Sequence, residues 1–114
     1  MEILRKQITR SQLREMADRM FGNMVKAVVD VERECIAVDA ELHSDQEALL
    51  LEDGSRQENV WGINLYPEFD PVDSRFLEFD SMINFRPWRN NRSRSVDDPS
   101  IREKIEGIVR KWIA

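Results

Sequence analysis

Cysteine, histidine and long apolar stretches are scarce in this sequence. It has one cysteine, Cys35, and one histidine, His43, and apolar runs such as Ala48–Leu51 do not exceed four residues. One cysteine excludes an intramolecular disulfide, and such runs fall far short of the roughly 20 apolar residues that span a bilayer. The opening residues Met1–Lys6 lack the apolar core of a secretory signal. We therefore expect a cytoplasmic protein with no membrane segment.

The motifs of common enzyme classes are also missing. The sequence contains no P-loop, no dinucleotide-binding fingerprint, no nucleophile elbow and no thiol site with a nearby base. The formal net charge of −5 argues against general nucleic-acid affinity, because phosphate binding depends on clustered Lys and Arg. Enzyme status stays open, and the missing motifs favour a protein that is not an enzyme.

The composition is that of an ordinary globular domain, with 41% hydrophobic and 34% charged residues. A chain of 114 residues fits one domain, 1–114, and can bury roughly two-thirds of its unfolded surface. We expect it to fold without disulfides or metals.

Apolar residues recur at helical spacing in three segments. The predicted helices are residues 13–21, 44–53 and 99–112. Thr9 or Ser11 can cap the first helix, and Asp98 followed by Pro99 is a typical start for the third. Ser44 followed by Glu47 reads as a capping box and favours a helix over 44–53, with a loop as the alternative.

Five segments alternate between apolar and polar residues, which predicts β-strands. They are Ile3–Ile8, Val25–Val31, Ile36–Leu42, Ile63–Leu65 and Leu77–Phe85. The element order β-α-β-β-α-β-β-α predicts an α/β fold of the α+β type. Its architecture is a two-layer sandwich, with a mainly antiparallel sheet and helices on one face. A ferredoxin-like core with an added strand and helix is one topology that fits.

Several segments are also similar to known sequences. These are Glu41–Asp45, Leu51–Pro67, Phe79–Pro87 and Asn91–Ser93. Together they resemble a family of small bacterial and archaeal proteins of this length, labelled as a domain of unknown function. The resemblance covers nearly the whole chain and implies no chemistry, so function has to be argued from the residues.

The first candidate site is the triplet of Glu41, His43 and Asp45. In an extended segment their two-residue spacing would place three metal ligands, or an acid/base set, on one face. No second histidine or ligand-spaced cysteine completes a zinc set, and a solvated strand edge has the same pattern. We therefore predict no metal and no cofactor, and keep Glu41 and His43 as candidate catalytic residues.

The second candidate is an arginine-rich loop before the last helix. It contains Arg86, Arg89, Arg92 and Arg94. Arginine forks match phosphate and carboxylate groups, and the neighbouring Asn91 adds a neutral donor. The alternative is that these arginines pair with the protein's own acids, since residues 39–58 carry seven acids against one base.

The third candidate is a polar sheet face. If helices cover one face only, the other presents Glu41, His43, Asn64, Tyr66, Asn84 and Arg86. Clustered amides beside a histidine and an arginine can orient a small polar ligand, whereas an ordinary wet sheet face is the alternative.

These observations favour a small binding or regulatory domain that contacts a partner through the polar face and the arginine loop. The partner could be a protein or an anionic ligand, and a homodimer is compatible with the sequence. The candidate ligand-binding residues are Asn64, Tyr66, Asn84, Arg86, Arg89, Asn91, Arg92 and Arg94. The alternative is a small enzyme that acts on a polar ligand around Glu41, His43, Asn84 and Arg86.

Overall fold

Five antiparallel strands form one sheet in the computed structural model, which describes residues 1–114. The strands are β1 (Glu2–Ile3), β2 (Val25–Asp30), β3 (Cys35–Val38), β4 (Val60–Leu65) and β5 (Leu77–Glu78), in the spatial order β1-β3-β2-β4-β5. The three α-helices are α1 (Arg10–Arg19), α2 (His43–Glu52) and α3 (Pro99–Trp112). The predicted α+β class and mainly antiparallel sheet are confirmed. No helix has both the length and the apolar character needed to cross a bilayer.

The helices lie on both faces of the sheet. A core of 19 buried apolar residues joins one face to α1 and α3, and it includes Ala27, Val29, Leu13 and Ile105. A smaller cluster lies on the opposite face beneath α2, and it consists of Val28, Ala37, Leu50 and Val60. The prediction that helices cover one face therefore holds for α1 and α3, whereas α2 crosses to the other side.

Strands β2 and β4 explain this difference, because they lie inside the sheet and are buried on both faces. In β2 the residues Ala27, Val28 and Val29 are all inaccessible to solvent. A strand covered on both sides has consecutive apolar residues in place of strict alternation. Val28 therefore needs a cover of its own, and Leu50 of α2 provides it.

The first half of the fold matches the ferredoxin-like topology considered above. Strand β3 lies between β1 and β2, which is the split β-α-β arrangement of that fold. The second half departs from it, because α2 packs on the opposite face from α1. At the helix starts, Asp98 caps α3 as predicted, and of the two predicted caps for α1, Thr9 and Ser11, it is Thr9 that caps the helix, through a capping box with Gln12.

The predicted strand Leu77–Phe85 was the main error of the sequence analysis. Only Leu77 and Glu78 pair with β4, and residues 82–84 form a 3-10 turn. Beyond this point side chains occupy the free edge of β4. The Asn84 amide accepts from the Gly62 N–H at 2.8 Å and donates to the Gly62 carbonyl at 2.9 Å, while Arg86 Nη2 donates to the Val60 carbonyl at 2.8 Å. The sequence continues to alternate between apolar and polar residues after Glu78, but the hydrogen bonds to β4 there come from side chains.

Other element boundaries also differ from the predictions, among them that of the first helix, predicted at 13–21 and found at Arg10–Arg19. The strand predicted to reach Leu42 ends at Val38, because Asp39 adopts a left-handed backbone conformation with φ of 64°. The strand predicted to reach Ile8 ends at Ile3, and Ile8 instead forms a bridge with Ile113 at the end of α3. The helix predicted over 44–53 is present but runs from His43 to Glu52, and no side chain caps its start.

Gly62 lies where the segment 81–84 crosses β4, and we predict that Gly62→Ala destabilises the fold. An added Cβ would lie 2.5 Å from both Cβ and Oγ of Ser81. The segment would have to move, which would also disturb the Asn84 hydrogen bonds. We expect the free energy of unfolding in urea to fall by about 2 kcal/mol or more.

Gly107→Ala is the matched control for this measurement. Gly107 lies inside α3, and an added Cβ would meet nothing within 4 Å. Because alanine favours helix more than glycine does, we expect unchanged stability or a gain of up to about 1 kcal/mol. A Gly62→Ala protein as stable as the parent would contradict the close packing described here.

Candidate functional site

The structure separates the predicted site residues into three groups. Some lie in a cleft between two 3-10 turns, some lie in a second cleft at the start of α2, and the remainder lie in neither. We call the first the arginine cleft and the second the polar cleft. The predicted single polar face does not form one continuous site, because α2 and the segment 81–86 cover part of it.

The arginine cleft lies between the 3-10 turns at 57–59 and 87–89 and has a volume of about 350 Å³. It is lined by Arg56, Gln57, Glu58, Arg86, Trp88 and Arg89. The Glu58 carboxylate lies 2.9 Å from Nε of Arg56 and 3.4 Å from Nη1 of Arg89. One carboxylate thus bridges two exposed guanidinium groups at the cleft.

Arg86 is the buried member of this cleft, with 3% of its surface exposed. Its Nη2 donates to the Val60 carbonyl and lies 3.3 Å from a carboxylate oxygen of Glu47, and its guanidinium lies over the Trp61 ring. Nη1 is buried and has no hydrogen-bond partner. Burial lowers the pKa of Arg86 and raises the pKa of Glu47, although their mutual attraction opposes both shifts.

The polar cleft lies at the start of α2, beside β2, β4 and β5, and has a volume of about 530 Å³. Its polar lining includes Lys26, His43, Asn64, Tyr66, Glu78, Asp80 and Arg94. Glu78 organises its centre, because Oε1 accepts hydrogen bonds from Asn64 Nδ2 and from the Tyr66 hydroxyl, both at 2.9 Å. Burial and the neighbouring Glu78 raise the pKa of Tyr66 to about 12, so Tyr66 remains protonated.

His43 is the first residue of α2 and forms one wall of the polar cleft. Its Nε2 lies 2.8 Å from the Ile63 carbonyl oxygen. A carbonyl only accepts, so the neutral ring carries its proton on Nε2 and a lone pair on Nδ1. Burial lowers the pKa of His43 from its ordinary value of 6.5, although the bond to Ile63 opposes part of that shift.

Asn84 and Asn91 lie in neither cleft and bond within the chain. Beyond its contacts with Gly62, Asn84 Nδ2 donates to the Arg94 carbonyl. Asn91 Nδ2 donates to the carbonyls of Asn84 and Ser95, and its Oδ1 accepts from a backbone N–H. These two amides hold the loop in shape and have little capacity left for a ligand.

The other predicted residues are placed as follows. Glu41 and Arg92 are exposed and line neither cleft, and Arg94 pairs with Asp80 at 2.8 Å beside the polar cleft. The four residues of the enzyme hypothesis, Glu41, His43, Asn84 and Arg86, do not meet at one cleft. No group of three or more His, Cys, Asp or Glu side chains is arranged to hold a metal ion.

Sequence reasoning missed four residues that shape the clefts. Glu78 could have been found, because it alternates with Leu77 and so belongs to the same polar set as Asn64. Lys26 opposes Asn64 in the sheet, but this register is a tertiary feature. Arg56 and Glu58 gave no signal, because they lie in an acidic stretch without periodicity.

Comparison with protein-family models matches residues 2–112 to a family described as "Protein of unknown function (DUF5674)". No curated protein and no solved structure matches the chain. The family description supplies no chemistry, so the two clefts are the basis for any functional assignment.

We predict that His43 titrates below 6.5 in the folded protein. Since the unfolded chain takes up this proton at higher pH, the neutral ring contributes stability above the unfolded value. That contribution is lost as the pH falls through 6.5 toward the folded pKa. His43 is the only histidine, so its Cε1 proton gives one resolved NMR signal. A folded midpoint at or above that of the urea-unfolded chain would contradict the buried position of the ring.

Proposed function

The chain belongs to the DUF5674 family of proteins of unknown function, and we propose that it is a small binding domain that holds an oxyanion in the arginine cleft. The oxyanion is a phosphate or carboxylate group of a small molecule or of a partner. Three guanidinium groups meet there, against the carboxylates of Glu47 and Glu58.

The state of Arg86 carries this proposal. A buried cation whose Nη1 has no partner, and whose pKa is lowered by burial despite its pair with Glu47, is stabilised by any further negative charge that reaches it. An unsatisfied buried donor of this kind costs roughly 1–3 kcal/mol. An oxyanion in the cleft would recover part of that cost.

Glu58 supports the same ligand class, because its carboxylate already bridges Arg56 and Arg89. All three side chains are substantially exposed, so these ion pairs contribute only about 0–1 kcal/mol each. A ligand oxyanion can therefore displace Glu58 at little cost and take up the same guanidinium donors, with Arg86 as the additional partner.

Trp88 suggests the second feature of the ligand. Its side chain lines the cleft and is 76% exposed, next to Arg89. An exposed indole at the edge of a cationic cleft favours a ligand with a planar or apolar portion attached to the oxyanion. A nucleotide or an aromatic carboxylate has both parts.

We also propose that the protein is cytoplasmic and of prokaryotic origin. A cytoplasmic domain agrees with the lone Cys35, whose pKa is raised by burial, so that its thiol stays unreactive. A prokaryotic origin rests on the resemblance of its sequence segments to small bacterial and archaeal proteins.

Calorimetric titration at low salt tests the oxyanion site. We expect pyrophosphate and citrate to bind the parent protein and to bind more weakly as salt is added. The double variant Arg56→Gln, Arg89→Gln should lose at least about tenfold in affinity, because two charge-assisted hydrogen bonds are removed. Its thermal midpoint should stay close to that of the parent, since both arginines form only surface ion pairs.

Arg110→Gln is the matched control, because Arg110 is exposed on α3 and forms a comparable surface ion pair with Glu106. It should bind both anions like the parent. Absence of binding at low salt, or an equal loss of affinity in the control, would refute the proposal. Pyrophosphate binding without citrate binding would restrict the ligand to phosphates.

A further inference from the structure

We propose that the polar cleft is a second binding site, which accepts the ammonium group of a small amine with an alkyl portion. This site and the arginine cleft lie on different sides of the segment 81–86, and the two sites bind opposite charges. It is lined by different residues, so it does not depend on the oxyanion site.

The uncompensated charge of Glu78 is the first observation. Its neighbour Asp80 has a cationic partner in Arg94 at 2.8 Å, whereas Glu78 forms no ion pair. Lys26 also lines the cleft, but its Nζ lies 5.4 Å from the centre of the Phe21 ring, in a cation–π contact. The carboxylate of Glu78 therefore remains available to a cation from solution.

The orientation of Asn64 is the second observation. Its Nδ2 donates to Glu78 Oε1 and to the Asp80 carbonyl, so the amide assignment follows from two acceptors. Asn64 is 95% removed from solvent, and its buried Oδ1 accepts no hydrogen bond. The buried Oδ1 of Asn64 lacks a donor and lies next to the Glu78 carboxylate, which has no cationic partner. A ligand that carries N–H groups would satisfy both.

His43 adds a third acceptor to the same cleft. Its Nε2 proton is directed to the Ile63 carbonyl, and the lone pair on Nδ1 has no partner within the chain. Together with Glu78 and Asn64, this gives three acceptors for the three hydrogens of a primary ammonium group. No group of three or more His, Cys, Asp or Glu side chains here is arranged to hold a metal ion.

The apolar residues that line the cleft indicate that the part of the ligand attached to the ammonium group is an alkyl chain. Met24, Leu42 and Met82 border the cleft, and Leu42 and Met82 are 53% and 66% exposed. Flexible apolar side chains of this kind can cover an alkyl group of variable shape. The volume of about 530 Å³ is within the range of small-molecule sites.

Titration of the ¹⁵N-labelled protein with n-butylammonium chloride, followed by NMR, tests this site. We expect saturable shifts of the backbone amide signals of Asn64, Tyr66 and Glu78. n-Butanol, which has the same alkyl chain without the charge, should give much smaller shifts. Butylammonium shifts confined to residues 56–58 and 88–89 would assign any amine binding to the arginine cleft and overturn the proposal.

Glu78→Gln removes the charge and keeps an oxygen that accepts from Asn64 and Tyr66. We expect it to weaken butylammonium binding at least tenfold while its NMR spectrum remains that of a folded protein. Glu103→Gln is the matched control, because Glu103 is exposed on α3 and forms no ion pair; it should bind like the parent. Equal binding by Glu78→Gln and the parent, or equal shifts with butanol in the parent, would refute the ammonium site.

Discussion

The contact between the Asn84 amide and the backbone of Gly62 determines how the second half of the molecule is arranged. The side chain supplies to β4 the two hydrogen bonds that a neighbouring strand would supply. It can do so only because residue 62 has no side chain, which lets Ser81 approach closely. The segment 81–86 is thereby held across the face of β4. Both clefts are formed along its sides, since Ser81 to Ile83 line one and Arg86 lines the other.

The uneven charge distribution of the sequence is resolved by the same arrangement. The acidic stretch 39–58 forms α2 and the following turn, and the arginine loop lies against them. Glu47 pairs with Arg86, and Glu58 pairs with Arg89. Arg94 pairs with Asp80, outside that stretch, so three of the four loop arginines have acidic partners within the chain, as one of the two sequence hypotheses proposed. The first two pairs differ in their surroundings. Arg86 is buried and its Nη1 has no hydrogen-bond partner, whereas Arg89 is exposed.

Local patterns predicted the elements and caps that depend on residues close together in the sequence, and failed where side chains replaced the backbone of a neighbouring strand. The caps at Thr9 and Asp98 and the strand β2 follow from spacing within a few residues. The strand expected at 77–85 has equally good alternation, but beyond Glu78 the hydrogen bonds to β4 come from the side chains of Asn84 and Arg86. The same holds for the site. His43, Asn64 and Tyr66 were predicted as members of one polar face and do share a cleft. Asn84 and Asn91 were predicted as ligand-binding residues because of their amide groups, but both amides bond to the protein's own backbone.

The occupied edge of β4 also bears on how copies of this chain can associate. An open strand edge offers unpaired N–H and C=O groups to a strand of another molecule, and this is a common route to aggregation and to peptide capture. Here Asn84 and Arg86 satisfy those groups from within, while β5 and β1, the outermost strands, have two residues each. Too little free backbone remains for an incoming strand to extend the sheet.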